Sequence, residues 1–379
     1  MKPKNLIVFL FFLTHLLFSQ ESSTDWVKFE DPKTFLIGYK DWKGEVKIEP
    51  KFTFITYAVI FDNIIPVFEE MNPKEPENSK MKEYYLLKNG KQIGLDSLYV
   101  YDFTLDCENE NKIRFRDRKT DRVGFFDSNG KVIIPAVYND AKPFYNGFAV
   151  VITDGKRMCW DGDGNTEFSK DNPCEHWSWK GNIQIINDKN EVLAENIPFE
   201  KLNAIDWFSF KKNSSEINEN YIGFKGIKND NYYFLNYEKE FESWYCNEFL
   251  KDISENSLIN FLSDEIHVDV NKILEDKNHI PHKDSFWKEE KKDEFLKYYK
   301  DYFLKTITLF RNGNTFTSEG GPPLLFRYEN APEYFSNCGE YQNVKFPYFQ
   351  VHLLNKKEKA IKSLGFIRVD NQFKLLEVY

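Results

Sequence analysis

The stretch "GFFDSNGKVIIPAVYNDAKPFYNGFAVV", from Gly124 to Val151, indicates how this chain folds. Apolar residues lie on both sides of "DSNG", residues 127–130, and Asn-Gly supplies the positive φ angles that a tight β-hairpin turn requires. Pro135 cannot donate a ladder hydrogen bond, so it predicts the end of the second strand. Asn146 and Gly147 then repeat the same turn signal. The stretch predicts a β-hairpin unit that is too small to bury its apolar face alone.

A second stretch, "IGYKDWKGEVKIEPKF" from Ile37 to Phe52, has the same spacing. In both copies the second glycine follows the first by six residues, and an aromatic residue follows the second glycine by eight. The positions are Gly38, Gly44 and Phe52 in one copy and Gly124, Gly130 and Tyr138 in the other. Pro50 and Pro135 occupy the same region, displaced by one position. Self-similarity of this kind is typical of repeat architectures, in which stacked units bury a continuous core.

Weaker copies follow the same rhythm without the leading glycine and the proline. They are "YYLLKNGKQIGL" around Gly90, "RMCWDGDGN" around Gly164 and "IQIINDKNEVLAEN" around Asn190. We therefore expect β-hairpin repeats over residues 37–236. The high aromatic content, 17% of the chain, fits such a β-rich core, because aromatic residues pack well across strands.

These units resemble the WG-repeat family, also called KWG repeats. Units of that family look like "G-[WFY]-[ID]-x-x-x-G-x-x-[VI]-I-P-x-x-[FY]" followed by "F-x-x-G-[LF]-A-x-V". The copy at Gly124 matches nearly throughout, including Phe144 and Gly147, and the copy at Gly38 matches the first half. The resemblance implies hairpin repeats that serve as a structural or binding scaffold. It implies no catalytic residues and no cofactor.

The pattern changes after Tyr237. Apolar residues of "EKEFESWYCNEFLKDI" have helical spacing, a short helix is predicted after Ser254, and a longer one from Ser285 to about Phe310. Residues 311–324 are predicted to form a loop or loose hairpin. Strands follow at about 324–328 and 344–353, and the closing pair "LGFIRVDNQFKLLEVY" turns at Asp370-Asn371. The fold class is thus a mainly β hairpin-repeat region followed by a smaller α+β domain, residues 238–379, with helices first and an antiparallel sheet last. This element order is similar to the NTF2-like cone fold.

The N-terminus begins "MKPKNLIVFLFFLTHLLFSQ". Two early lysines, a short apolar run and the small Ser19 are typical of a secretory signal peptide, here residues 1–19, with a linker over 20–36. The apolar run is shorter than the ~20 residues that a membrane-spanning helix needs. We expect a secreted or periplasmic protein, most simply a bacterial one, with no transmembrane span in the mature chain. The formal net charge of −9 disfavours nucleic acid as a partner.

Five cysteines fit export, because disulfides persist in oxidising compartments. Cys159 and Cys174 flank a turn-rich stretch and could form a local disulfide. Cys246 and Cys338 could form a second, which would leave Cys107 free. Buried reduced thiols are the alternative. The absence of a CxxC pair argues against a zinc site.

Two polar clusters are candidate sites. In "DEIHVDV" the alternation of a strand places Glu265, His267 and Asp269 on one face, where they could perform acid–base chemistry or hold a metal. A half-solvated strand has the same pattern. The stretch "DGDGNTE", residues 161–167, is similar to the start of a calcium loop, but Thr166 replaces the required glycine and Asn172 the bidentate glutamate.

These observations favour an exported, non-catalytic binding or scaffold module of the cell envelope, with an unidentified protein or glycan as its partner. One alternative is an enzyme or small-ligand binder with its site in a pocket of the C-terminal domain. Another is glycan binding by exposed aromatic residues of the repeats. The latter requires a shared exposed face among Trp42, Trp160, Trp177 and Trp179.

Overall fold

The computed structural model describes residues 25–71, 80–101, 104–160, 166–169, 171, 173–269, 287–324 and 326–379. The predicted signal peptide, residues 1–19, and the core of the calcium-like loop, residues 161–165, lie outside this part of the chain. The described chain is mostly β-strand and forms several small antiparallel sheets followed by an α+β region, as the sequence predicts.

The repeat region contains four main sheets. The first has the order β4-β1-β2-β3-β5-β6-β7 and comprises β1 (Trp26–Glu30), β2 (Ile37–Lys40), β3 (Val46–Phe52), β4 (Ile60–Phe61), β5 (Ile64–Glu70), β6 (Met81–Leu87) and β7 (Gln92–Ile93). A two-stranded ribbon follows, β8 (Val100–Tyr101) and β9 (Thr104–Leu105). The second sheet comprises β10 (Lys112–Asp117), β11 (Arg122–Asp127) and β12 (Val132–Tyr138).

The third sheet comprises β13 (Asp140–Ala141), β14 (Phe148–Cys159), β15 (Trp177–Asn187) and β16 (Val192–Ala194). A 3₁₀ turn, Phe199–Leu202, leads to the fourth sheet. That sheet has the order β17-β19-β18 and comprises β17 (Ile205–Lys212), β18 (Tyr221–Lys225) and β19 (Asn231–Asn236).

Neighbouring sheets share apolar cores, which is how each small unit buries its face. Aromatic contacts join Tyr85 to Phe126 with ring centroids 5.5 Å apart, and Phe148 to Phe234 at 5.6 Å. Val123 of β11 and Ile186 of β15 lie in one buried cluster. The repeats therefore stack in series, as expected for a repeat architecture.

The two sequence copies have the same strand register. Between two successive paired positions, the first strand of each unit advances by two residues and the second strand by four. Each second strand therefore contains two extra residues. The flanking pairs are Ile37–Phe52 and Tyr39–Ile48 in one unit and Val123–Tyr138 and Phe125–Ile134 in the other. Pro50 and Pro135 lie inside β3 and β12, in this irregular stretch. The expectation that Pro135 ends a strand is therefore wrong, because the irregularity accommodates a residue that cannot donate to the ladder.

The irregular stretch explains why the first position of the shared spacing in each unit, Gly38 or Gly124, is occupied by glycine. A Cβ at Gly124 would lie 2.5 Å from the carbonyl oxygen of Ile134, and a Cβ at Gly38 would lie 2.6 Å from that of Ile48. The second strand thus approaches the backbone of the first too closely for any side chain. The second glycines, Gly44 and Gly130, have φ angles of 88° and 75° and close the hairpin turns.

We expect Gly124→Ala to destabilise the protein by about 1–3 kcal/mol, because the added methyl group must displace backbone rather than a flexible side chain. Urea unfolding followed by tryptophan fluorescence measures the change. Gly321→Ala is the matched control, because a Cβ there meets no atom within 4 Å. Equal unfolding free energies for the two variants would contradict this account of the motif glycine.

The weaker hairpins around Gly90 and Asn190 are also formed, as β6–β7 and β15–β16. Their turns place Gly90 and Asn190 at φ angles of 84° and 63°. The segment assigned to a linker, residues 20–36, contains β1, which pairs with β2. That assignment is wrong, since apolar side chains such as Trp26 pack on the core of the first sheet.

The C-terminal domain follows the repeats without a linker. β19 ends at Asn236, whose side chain accepts a hydrogen bond from the backbone N–H of Lys239 and caps helix α1 (Tyr237–Trp244). This helix continues through a π-helical turn, Tyr245–Phe249, and a last turn, Leu250–Asp252. In the described residues, helix α2 (Leu258–Phe261), helix α3 (Lys292–Asn312) and a 3₁₀ turn (Pro332–Tyr334) follow. The long helix therefore begins later than the predicted Ser285.

The C-terminal sheet has the order β21-β20-β25-β24-β23-β22. Its strands are β20 (Leu262–Asp269), β21 (Trp287–Lys291), β22 (Asn314–Glu319), β23 (Tyr348–Leu354), β24 (Ala360–Val369) and β25 (Gln372–Val378). β20 and β25 are parallel and the other neighbours are antiparallel. Asp370 and Asn371 both have positive φ, at 50° and 61°, as the predicted two-residue turn requires. β22 lies in the stretch that was predicted as a loop or loose hairpin.

The helices cover one face of this sheet, and aromatic side chains fill the space between them. Phe241, Phe249, Phe303, Phe349 and Phe366 are all buried there. Phe241 stacks on Phe349 with ring centroids 4.5 Å apart. The expected NTF2-like identity stays a prediction.

Candidate functional site

Residues 326–347, here called the crossing segment, connect the two parts of the molecule. Phe326, Tyr334, Tyr341 and Phe346 pack on the helix-free face of the C-terminal sheet. The carbonyl oxygen of Asn337 accepts hydrogen bonds from the N–H groups of Val59 and Ile60 in the first sheet, at 2.7 and 2.9 Å. The segment thus spans from the C-terminal domain to the start of the repeats.

A disulfide between Cys107 and Cys338 fixes the crossing segment to the repeats, with a Cα–Cα distance of 6.0 Å. The predicted partner of Cys338 was Cys246, and this is wrong, because Cys246 lies on the exposed side of the helical turn after α1 and has a free thiol. Cys107 is correspondingly bonded rather than free. Cys159 and Cys174 are joined by a second disulfide.

Next to the first disulfide lies a cleft of about 550 Å³, here called the junction cleft. The stretch 104–111 and Tyr101 form one wall, Pro143 and Tyr145 of the repeat copy that begins at Gly124 form another, and the crossing segment forms the third. Its charged lining residues are Asp62, Asp106, Glu108, Glu110, Glu340, Arg114 and Lys345. Both halves of the molecule therefore contribute to one polar cavity with an excess of carboxylates.

A buried ion pair forms the floor of the junction cleft. The guanidinium of Arg114 bonds the carboxylate of Asp106 and donates to the carbonyl oxygen of Ala141 at 2.7 Å. The backbone N–H of Arg114 also donates to Asp106, at 2.7 Å. The guanidinium lies 4.0 Å from the ring centroid of Tyr99. Both terminal nitrogens of the guanidinium and both oxygens of the carboxylate thus have protein partners, whereas the buried Nε of Arg114 has none among the described residues. The pair therefore holds the floor of the cleft together.

Two further carboxylates bind backbone groups of neighbouring hairpins. Glu108 accepts hydrogen bonds from the N–H groups of Asn63 and Ile64, each at 3.1 Å. Glu110 accepts from the N–H groups of Asn146 and Gly147, at the second turn of the repeat copy that begins at Gly124. Burial raises the pKa of the Glu108 carboxyl, although the hydrogen bonds oppose this shift. Glu108 and Glu110 therefore connect their own segment to two neighbouring hairpins. A ligand in the cleft would contact other lining residues.

The groups at the mouth of the cleft are Asp62, Glu340 and Lys345, the side-chain amides of Asn109, Asn111, Asn337 and Gln342, and the rings of Tyr101 and Tyr145. Burial raises the pKa of Asp62, and the carboxylate of Asp25 adds to this effect. Burial also raises the pKa of Glu340, with Asp106 as a further cause. The mouth therefore suits a partner that carries cationic or hydroxyl groups.

The lining of the junction cleft is rich in carboxylates and amides. It contains no histidine, and the sulfur of Cys107 is in a disulfide. Ser336 accepts backbone N–H bonds from Cys338 and Glu340 and so belongs to a turn. The described lining residues therefore contain no Ser–His or Cys–His pair of the kind that acyl transfer uses.

The three residues predicted from the strand pattern, Glu265, His267 and Asp269, differ in their exposure to solvent. Glu265 bonds Lys291 at the surface. His267 and Asp269 are buried, and His267 lies across from Glu377 on β25. Burial lowers the pKa of His267, although the carboxylates of Glu377, Glu289 and Asp269 oppose the shift. Within the described residues no group of three histidine, cysteine, aspartate or glutamate side chains is arranged to hold a metal.

Glu377 is the buried acid that the sequence pattern did not indicate. Its carboxylate accepts hydrogen bonds from the hydroxyls of Tyr348 and Tyr379 and from the N–H of Leu324. A glutamate in an apolar closing strand was the available signal, because such a charge must find partners when it is buried. None of the three cavities described here is lined by His267, Asp269 or Glu377.

The tryptophans of the glycan hypothesis do not form one platform. Trp177 and Trp179 surround the guanidinium of Arg157, which lies 4.2 and 5.1 Å from their ring centroids. Trp160 is 59% exposed, but strand alternation directs it to the opposite face of the β14–β15 hairpin. Trp42 is 60% exposed on a different hairpin turn. Glycan binding through a face that these residues share loses its geometric basis.

Residues 124–156 match the family model of the WG containing repeat. The match covers β11 from Gly124 onward, β12, β13 and most of β14, and so includes one wall of the junction cleft. No curated protein matches the chain. In the described part of the chain, no helix has the length and apolar character needed to cross a membrane. The chain therefore carries a WG-type repeat over residues 124–156.

Proposed function

We propose that this chain is an exported, non-catalytic binding module of the cell envelope, and that its partner binds in the junction cleft. The observation that carries the proposal is that repeats and crossing segment together line one polar cavity beside the Cys107–Cys338 disulfide. A covalent joint at the rim keeps the walls in place before the partner arrives, which lowers the entropic cost of binding. A WG-type repeat in one wall fits a repeat-based binding module.

Export rests on the signal-peptide pattern of residues 1–19 and is compatible with the two disulfides, which are rare in reducing compartments. The partner class follows from the mouth of the cleft. Carboxylates and amides next to tyrosine rings can bind cationic side chains of a protein or the hydroxyl groups of a glycan.

The test expresses the full-length chain in a bacterium and recovers it from the periplasm. N-terminal sequencing is expected to find a start near Gln20. The recovered protein is then immobilised and exposed to envelope fractions, and Glu340→Lys is expected to weaken retention of the bound component about tenfold, because it reverses a charge at the mouth.

Glu333→Lys is the matched control, since Glu333 is an exposed acid on the same segment outside the cleft lining. It is expected to bind like the unmodified chain. Equal retention by both variants would place the partner elsewhere on the molecule. A chain that stays in the cytoplasm with residues 1–19 attached would refute export.

A further inference from the structure

A groove of about 850 Å³ runs along helix α3 on the far side of the C-terminal domain. Helix α3 supplies nine of its ten lining residues, from Leu296 to Leu309, and β24 supplies Lys362. None of these residues lines the junction cleft. The groove is therefore a separate feature of the surface.

The groove is basic in an acidic protein. Lys297, Lys300, Lys305 and Lys362 line it together with a single acid, Asp301. Four lysines among ten residues is an enrichment, since lysine and arginine together make up 51 of 379 residues in a chain of net charge −9. This local reversal of sign attracts anions that the rest of the surface repels.

Two of the four lysines bond polar side chains of the protein, and the other two have no ion-pair partner among the described residues. Lys362 donates a hydrogen bond to the hydroxyl of Tyr302 at 2.7 Å, and Lys300 bonds the carboxylate of Glu255. Lys297 and Lys305 are exposed, and neither forms an ion pair within the described chain, although the ammonium of Lys297 lies 4.8 Å from the ring centroid of Tyr298. Lys305 follows Lys297 by eight positions in the helix, which corresponds to about 12 Å along the axis. These two ammonium groups can therefore bind an anionic partner that extends along the helix.

The groove also contains exposed apolar surface. Tyr298 is 54% exposed and Leu309 is 49% exposed. Residues four positions apart on one face of an extended polypeptide are about 13–14 Å apart, so carboxylates at such positions come close to the 12 Å between the two lysines. A concave groove fits a chain better than a flat lipid surface, and it has few of the amide groups that bind sugar hydroxyls.

We propose that this groove binds an acidic polypeptide segment of a partner protein, with carboxylates on Lys297 and Lys305 and an apolar side chain against Tyr298 or Leu309. The proposal is independent of the junction cleft. It would give the molecule a second attachment point of opposite charge.

The test uses the full mature chain and a fluorescein-labelled ten-residue peptide of glutamates with one central phenylalanine. Fluorescence anisotropy is expected to show saturable binding that weakens as salt is added. Lys297→Gln/Lys305→Gln is expected to raise Kd about tenfold, the effect of two lost exposed ion pairs at the upper end of their usual strength. The same peptide with glutamine in place of every glutamate is expected not to bind.

Lys225→Gln/Lys228→Gln, at exposed lysines of the repeats, is the matched control and should leave Kd within about twofold, since it removes the same charge outside the groove. Unchanged melting temperatures for both double variants confirm that the fold is intact. Equal Kd values for the two variants would overturn the proposal. Binding to phosphatidylglycerol vesicles that depends on Lys297 and Lys305, without peptide binding, would also overturn it and favour a membrane surface.

Discussion

Cys107→Ser/Cys338→Ser is expected to lower the stability of the oxidised protein by about 3–5 kcal/mol. The two cysteines are separated by 231 residues, and a cross-link that closes so long a loop removes much conformational freedom from the unfolded chain. The same change releases the crossing segment from the first sheet, where Asn337 now bonds Val59 and Ile60. Stability and the shape of the junction cleft should therefore be lost together.

Urea unfolding and limited proteolysis measure the two consequences separately. Cleavage within residues 326–347 is expected to become faster in the double variant, since the segment loses its covalent attachment. Cys246→Ser is the matched control, because its exposed thiol has no partner to lose, and it should behave like the unmodified protein. If the double variant resists protease and urea as well as Cys246→Ser does, the disulfide does not secure the cleft.

Arg114→Met is expected to destabilise the protein by about 3–5 kcal/mol. The substitution keeps an apolar stem over Tyr99 but removes the charge that compensates Asp106, which is 5% exposed. A buried carboxylate without its partner carries the full cost of its lost hydration. The carbonyl oxygen of Ala141 also loses its donor.

Urea unfolding again provides the measurement. Arg118→Met is the control, because Arg118 pairs with Glu83 at the surface and should contribute no more than about 1 kcal/mol. Adding Asp106→Asn to Arg114→Met is expected to recover part of the loss, since it removes the uncompensated charge. A loss from Arg114→Met no larger than that from Arg118→Met would show that the floor of the cleft does not depend on this pair.

Local signals predicted much of the fold. The turns at Gly44, Gly130 and Asp370-Asn371 were predictable because positive φ angles restrict the residues that can occupy them. The register shift beside Gly124 was not, because strand periodicity alone does not show two extra residues in the partner strand. The strand at Trp26 was missed because a short half-buried segment at the chain start resembles a linker.

The candidate site was less predictable because its parts are distant in sequence. The walls of the junction cleft come from residues near 105, 145 and 340, and no local pattern relates them. The pairing of Cys107 with Cys338 would have joined two of these walls, but the pairing of five cysteines cannot be deduced from their spacing. The stretch "DCENENK", residues 106–112, was the available signal, since so many polar groups beside a cysteine need partners when they are buried.

The pairing of the cysteines also determines how this protein can mature. During synthesis Cys107 emerges first, and Cys159, Cys174 and Cys246 all follow before its partner Cys338. An oxidant that joins cysteines in order of appearance would link Cys107 to Cys159 and prevent both native bonds. We therefore expect correct maturation to depend on a thiol–disulfide isomerase that reshuffles early bonds, and the yield of active protein to be limited by that enzyme rather than by the rate of synthesis.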